Sequence, residues 1–465
     1  MMSKPVHQAG ITERIAGFAV GADGALFPEN AKAVARLSIL DWSAVMLAGL
    51  GEPVSLMVRR MVAEDGGAPV ASVFGLNEKL PVRAAALANG AASHALDYDD
   101  THFAYVGHPS VAILPAALAI GEKINASGAE LLEAFLIGVE TACRVGSYLG
   151  SAHYQHGFHQ TATSGTFGAT AACARLLRLS EQQARHALGI AATRASGLKS
   201  QLGTMGKAFH AGMAAANGVE TATLASFGFI SRPDGIECEQ GFAETHAGAG
   251  GDDRQICADL GRIFWFENVR YKHHACCHGT HAALEALILI RDEPGFDVGE
   301  VSAVTIDVNP SWLRVCDIAE PKTGIEAKFS FRLTAAMALA GLDTAALASF
   351  DDAICEMPDL VRLRDIVTVK GDDAITDTAA AVEVRLTSGA TLARQSDLND
   401  VPSLAVRREK LRAKAVSLIG AAAADALWQM VSDLENRTTE DFAAALRRCQ
   451  SQVGRRAANE VEISR

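Results

Sequence analysis

Aromatic residues are scarce: Phe, Trp and Tyr make up 6% of 465 residues. A core of this size must then be filled by small aliphatic side chains. Hydrophobic residues do reach 49%, mostly Ala, Leu and Val, with 41 glycines beside them. That much apolar surface offsets chain entropy and excludes disorder as the dominant state. Long apolar runs are also missing. The most apolar window, residues 109–121, is about a dozen residues long and contains Pro115, short of the ~20 residues a bilayer crossing needs. It predicts a buried core helix, and no membrane partner is expected. No basic stretch followed by an apolar one opens the sequence, so no secretory signal is expected. The nine cysteines show no framework spacing, which predicts reduced thiols acting as small hydrophobes in a cytoplasmic protein. No GxxxxGK[ST] motif occurs, and GAGG at 247–250 lacks the strand and helix of a dinucleotide site. A formal net charge of -12 argues against nucleic acid as a partner.

Helical periodicity is abundant. Residues 30–49, 82–98, 128–150, 161–177, 180–194 and 207–227 carry apolar side chains at helical spacing. Many of these segments are apolar nearly all round and rich in Ala and Gly, which predicts helices packed closely on other helices. The texture changes near Phe264. Residues 266–273, 301–308 and 365–371 have strand character, and 380–397 predicts a hairpin around Ser388 and Gly389. Helices are expected at about 279–293 and 326–341, and again from Ser403 onward. The length predicts two domains. The expected fold class is mainly α: an all-helical domain from residues 1–265 and 400–465, and a smaller α+β domain from 266–399.

Nine of the 14 histidines fall in two windows: His102, His108, His153, His156 and His159, then His273, His274, His278 and His281. Residues that titrate near neutrality, clustered beside lysines and carboxylates, point to acid–base chemistry. In SHALDYDDTHFAYVGHPS, residues 93–110, carboxylates precede a loop that delivers His108 ahead of Pro109. Asp97, Thr101 and His108 are the candidates there, while Asp99 and Asp100 serve equally well as helix caps. His159 precedes a helix with a small-residue face of Ser164, Gly165, Gly168 and Ala169, whose glycines predict helix packing rather than phosphate binding. Lys207 and His210 open a further helix after a Gly-rich turn, where an unused lysine would be costly. VRYKHHACCHGTH, residues 269–281, invites a zinc reading. The adjacent Cys276 and Cys277 lack the gap of a chelating turn, and cysteines spaced for an iron–sulfur cluster are absent. Neither a metal nor a cofactor is expected.

Five blocks together resemble the MmgE/PrpD family: ALDYDDTHFAYVGHPS, FHQTATSGTFGA, TMGKAFHAGMAAANG, YKHHACCHGTH and EPKTGIEAKFSFRLTAAMAL. They occur in the family's order and span most of the chain. The family includes 2-methylcitrate dehydratase, cis-aconitate decarboxylase and iminodisuccinate epimerase. The resemblance implies a helical domain built from both chain ends, an inserted α+β domain, a homodimer and a carboxylate pocket needing no metal or organic cofactor. Matched to the decarboxylase branch, the pocket would hold Asp97, Thr101, His108, His159, Lys207 and Lys272. A tyrosine of that branch falls near Leu313, which argues against decarboxylation of cis-aconitate. The expected chemistry is proton movement at a carbon α to a carboxylate of a small di- or tricarboxylate. His108 and His159 would be acid and base, Lys207 and Lys272 would bind carboxylates or return a proton, and Asp97 would orient a histidine. Thr101, His102, His210 and His278 would contact substrate. An epimerase of the iminodisuccinate type is the leading expectation. The alternatives are a dehydratase, a decarboxylase and a non-catalytic carboxylate-binding protein.

Overall fold

The computed structural model describes residues 9–463, and side chains as far as residue 453. Residues 1–8 and 464–465, the outer ends of the expected helical domain, lie outside the described residues. The chain forms two units: Met1–Tyr271 with Ile419–Arg465, and Lys272–Leu418.

The first unit is built from α1 (Ile11–Gly21), α2 (Glu29–Ala48), α3 (Pro53–Asp65), α4 (Val82–Ser93), α5 (Ser110–Ile124), α6 (Gly128–Gln155), α7 (Gln160–Leu176), α8 (Glu181–Arg194) and α9 (Met205–Ser226). Short helices α10 (Phe242–Ala247) and α11 (Asp253–Cys257) follow, and a small ladder of β1 (Ala71–Ser72) and β2 (Lys79–Leu80) precedes α4. Local chemistry sets the starts: Ser127 with Glu130 and Ser180 with Gln183 form capping boxes ahead of α6 and α8. The apolar window around Pro115 is the wholly buried body of α5 through Gly121, as its composition predicts. By length and composition the segment Glu29–Gly51, which contains α2, could cross a membrane, but 78% of its apolar window is buried inside the protein, as in a core helix.

The scarcity of aromatics becomes a packing rule here. α4, α5, α7 and α9 pack on one another through Ala and Gly, with Ala85, Ala86, Ala88, Ala91, Ala211, Ala214 and Ala215 essentially inaccessible. A Cβ on Gly90 would stand 2.8 Å from the Gly212 Cα, and one on Gly212 would stand 2.3 Å from the Leu87 carbonyl oxygen. α4 and α9 therefore cross nearly backbone to backbone, which brings the end of α4 close to the start of α9. Gly165 and Gly168 of α7 are likewise packing positions: a Cβ on Gly168 would stand 2.5 Å from the Gly138 carbonyl oxygen of α6.

The second unit has a four-stranded sheet in the order β4-β3-β5-β6, from β3 (Val301–Val308), β4 (Val367–Gly371), β5 (Ala379–Leu386) and β6 (Thr391–Asp397). β3 and β4 are parallel and the other pairs antiparallel. The β5–β6 hairpin turns at Gly389, whose φ of 88° suits glycine. Its helices are α12 (His281–Arg291), α13 (Pro310–Cys316), α14 (Gly324–Ala327), α15 (Phe331–Leu339), α16 (Pro358–Asp365) and α17 (Leu404–Ile419). α12 covers β5 and β6 with Leu284, Leu287 and Ile290 buried. The chain then returns to the first unit through α18 (Ala421–Ser432) and α19 (Thr439–Ile463), both packed on α2. The fold is mainly α with a small α+β part.

Three sequence expectations need correction. Residues 266–273 form no strand: a one-turn helix, Trp265–Asn268, is followed by a single bridge between Arg270 and Thr101. The helix expected over 82–98 stops at Ser93, because Asp97 takes a φ of 51° and turns the chain back. The helix expected over 326–341 is broken, since Ser330 caps a fresh start at α15. The units also divide at 271/272 and 418/419, where the sequence suggested 265/266 and 399/400. Phe264 and Phe266 pack on Phe18, Phe27 and Phe135, and the Tyr271 hydroxyl meets Ser38 Oγ at 2.8 Å, so this stretch stays with the first unit. α17 stays with the second, where Lys410 Nζ donates to Glu285 of α12 at 2.7 Å.

Candidate active site

The turn after α4, the start of α7 and the start of α9 deliver the polar groups of the first unit to one place. His94 is the residue on which α4 ends, and its Nδ1 donates to both oxygens of Asp99, at 2.9 and 3.0 Å. His108 Nδ1 approaches the same carboxylate at 2.8 Å, at a poorer angle than a full hydrogen bond. Asp99 is wholly buried between the two rings. Burial opposes its charge, but the two imidazoles outweigh it and hold the carboxyl well below the usual range. An ionised carboxylate only accepts, so both Nδ1 atoms carry protons. Burial pushes His108 down to about 4 despite Asp99, so it is a neutral imidazole at pH 7.

Asp100, the next residue, behaves in the opposite way. It is buried against the start of α5, where the Ser110 N–H and hydroxyl donate to it at 3.2 and 2.5 Å. Burial and the nearby Asp41 carboxylate push it up to about 8. The left-handed turn at Asp97 leaves that side chain half-exposed, where Lys207 Nζ meets its Oδ1 at 2.6 Å and His108 Nε2 lies 3.6 Å away.

His159 is the residue before α7, and its ring does not cap that helix. Its backbone N–H donates to the Gly197 carbonyl at 3.0 Å, and its Nδ1 meets His210 Nδ1 at 3.1 Å. Burial first, then His94, Lys207 and His108, hold His159 well below its ordinary value, and burial lowers His210 too. The His94 ring links the two systems, with its centroid 4.6 Å from His108 and 6.1 Å from His159.

Of the residues singled out from sequence, Asp97, His108, His159, Lys207 and His210 thus converge. Thr101 pairs its backbone with Arg270 through two hydrogen bonds, at 2.7 and 2.8 Å. His102 spends Nε2 on the Trp265 carbonyl at 2.8 Å, an architectural role rather than an open one. Lys272 and His278 belong to the second unit. Lys272 is 3% exposed, and His278 stacks edgewise on His281 at 4.8 Å. Sequence reasoning missed His94 and underrated Asp99. The available signal was a histidine five residues before an aspartate at a helix end, which the capping interpretation obscured. His94, Asp97, Asp99 and His108 bring ligand atoms within 4.8 Å of one another, close enough for a metal ion. These donors are already committed, two imidazole N–H groups to Asp99 and a lysine ammonium to Asp97, so lysine supplies the positive charge there.

Comparison with known proteins places the chain in a family. Residues 13–255 match the MmgE/PrpD N-terminal domain and 274–438 the MmgE/PrpD C-terminal domain. A cis-aconitate decarboxylase-like protein of Aspergillus oryzae is 32% identical over 54% of this chain and 56% of its own length. Human cis-aconitate decarboxylase is 28% identical over 77% of this chain and 78% of its own, and that of Aspergillus terreus 30% over 60% of each. In the two Aspergillus relatives the match thus spans less than two thirds of their length. With both domain models matched in order along most of its length, the chain belongs to the MmgE/PrpD family.

Proposed function

We propose that this protein is an enzyme that forms and quenches a carbanion at the carbon α to a carboxylate of a small di- or tricarboxylic acid. The observation that supports it is the pair of buried imidazole systems, one anchored on a carboxylate and the other on a second imidazole, beside one lysine. The Lys207 ammonium exchanges Asp97 for a substrate carboxylate and stabilises the enediolate form. The bare His108 Nε2 takes the α-proton, and the bound carboxylate raises its basicity. His159, with Nε2–H, delivers a proton to the carbanion. When that proton reaches the opposite face the result is epimerisation, the iminodisuccinate type of reaction. Lys272 and His278 of the second unit enter this reading from the sequence, Lys272 also through the family resemblance.

The names of the relatives favour a second reading, decarboxylation of cis-aconitate. There the carbanion arises by loss of carbon dioxide, and His159 alone quenches it. NMR in deuterated water with iminodisuccinate, 2-methylcitrate and cis-aconitate separates these outcomes. Deuterium at an inverted α-carbon without loss of mass is expected for an epimerase. Carbon dioxide release with a deuterated product identifies the decarboxylase, and loss of water a dehydratase. Lys207→Met and His159→Asn are expected to cost ~10²–10⁴-fold in kcat. Unchanged spectra for every di- and tricarboxylate tried would sink the enzymatic proposal.

A further inference from the structure

We propose that His210 is the outer half of a two-imidazole proton relay that recharges His159 from solvent, a role that deepens the acid assigned to His159 above and rests on it. The two rings meet Nδ1 to Nδ1 at 3.1 Å. Two nitrogens at that distance cannot both present lone pairs, so one carries the shared proton and the other accepts it. Each ring's Nε2 then points away from the shared bond, giving a wire with one end at the candidate site and the other behind it.

The surroundings fix this pairing. His210 lies one turn beyond Lys207 on the same face of α9. The His159 backbone is held by the Gly197 carbonyl, and Gly197 has a φ of 145°. A Cβ there would stand 2.6 Å from the Ala162 Cβ and 3.3 Å from His210 Nδ1. Only glycine leaves room for the two rings to meet. Gly197 is buried, but its neighbours Ser196 and Leu198 are exposed and belong to a surface segment that includes Leu202 and leads into exposed Met205 at the start of α9. Both rings are nearly closed off, and His210, 6% exposed against 4% for His159, is taken as the ring on the solvent side. His94, Lys207 and His108 all face His159, and His94 also faces His210. This crowd of positive or potentially positive groups opposes an imidazolium at either ring, so a proton must pass through without being stored.

The transfer balances. At rest His159 holds Nε2–H and accepts the His210 Nδ1–H bond through its own Nδ1. His159 gives its Nε2 proton to the carbanion. The His210 Nδ1 proton moves to His159 Nδ1, and His210 Nε2 takes a proton from water. Passage in the reverse direction, or rotation of the rings, restores the starting tautomers. His210 then touches no substrate and is a positioning and relay residue.

Two measurements decide this. The first needs no substrate: histidine nitrogen NMR on full-length protein carrying isotope-labelled histidine. The relay requires one Nδ1–H tautomer in the pair and a coupling across the shared hydrogen bond, both lost in His210→Gln. If both rings are Nε2–H with no coupling, the relay is overturned whatever the enzyme does. The second measures turnover of whichever carboxylate is processed. His210→Gln is expected to lower kcat ~10–100-fold with KM little changed, and added imidazole to restore part of it in His210→Ala. A raised KM with kcat intact would make His210 a substrate ligand instead. Failure of every substrate to turn over would strike the proposed function and leave the NMR result standing.

Discussion

The two histidine-rich regions look alike in sequence and differ in what their nitrogens touch. In the second unit, His274 gives Nδ1 to Thr344 Oγ1 at 2.7 Å and faces Glu285 at 3.6 Å, while His281 bonds the Cys276 carbonyl at 3.3 Å. Glu285 in turn holds Lys410 at 2.7 Å. These rings are pinned by neutral or oppositely charged partners within a packed α+β core, an arrangement that stabilises a fold. In the first unit the imidazoles are held by one shared carboxylate and by each other, so two proton inventories meet within ring-contact distance. Histidine density is thus a poor guide to chemistry. Buried ring nitrogens without a hydrogen bond occur in both clusters, His94 Nε2 in the first and His274 Nε2 in the second, so what separates them is the shared carboxylate and the imidazole pair of the first.

The strongest way to break the contrast is Asp99→Asn. Asparagine keeps the volume but offers one acceptor and an N–H₂ in place of two acceptors. One of the two imidazoles must then turn its tautomer, which removes either the bare Nε2 of His108 or the anchor of His94. The expected outcome is a ~10²–10⁴-fold loss in kcat, with stability lowered by ~3 kcal/mol because two buried donors lose an anionic partner. Rates and urea unfolding of the same preparation check both. Full activity in Asp99→Asn would reduce the first region to the architectural status of the second.

This carboxylate also marks where sequence stops informing. The helices of the first unit follow from periodicity, and the caps at Ser127 and Ser180 from local chemistry. The four strands of the second unit's sheet were visible as well, 301–308 by alternation, 365–371 as a single strand and the last two as the hairpin 380–397. The five blocks carrying the resemblance contain most of the converging residues. What the sequence could not convey is which of Asp97, Asp99 and Asp100 points inward. That depends on the left-handed turn at Asp97, a conformation aspartate tolerates without requiring. Asp99 consequently read as a cap, and His94 as part of a helix drawn five residues too long. The false strand at 266–273 has the same origin: its apolar residues are buried by packing on the helical unit rather than by pairing.

A smaller effect is expected when the other side of the contrast is disturbed. Glu285→Gln removes the charge that binds Lys410 and faces His274. Burial works against the Glu285 charge, yet His274 and Lys410 hold its carboxyl below the ordinary range, so the charge is net stabilising. Because the pair is partly exposed, the loss is expected to be ~1–2 kcal/mol, seen as a lower thermal midpoint, with turnover per folded molecule nearly unchanged. A collapse of kcat at unchanged stability would show that the second cluster does chemistry too.

The finest test lies within the first region, between neighbours. Asp100 sits at about 8 when folded, against an ordinary value of 3.8. A carboxyl raised in this way contributes stability that is complete below its unfolded pKa and is lost as pH rises toward the folded one. Asp100→Asn substitutes a permanently neutral group, so it should remove that loss. One of the two Ser110 hydrogen bonds weakens, since the amide has one acceptor oxygen, and this offsets part of the gain. The net expectation is a variant more stable than the parent by ~1 kcal/mol at pH 8 and no more stable at pH 4. Asp99→Asn must show the opposite sign at pH 8, since its charge is favoured by the two imidazoles. Urea unfolding of both variants at the two pH values checks this pattern. If the two substitutions moved stability in the same direction at pH 8, the division between an ionised aspartate that organises the histidines and a neutral one that closes α5 would be lost.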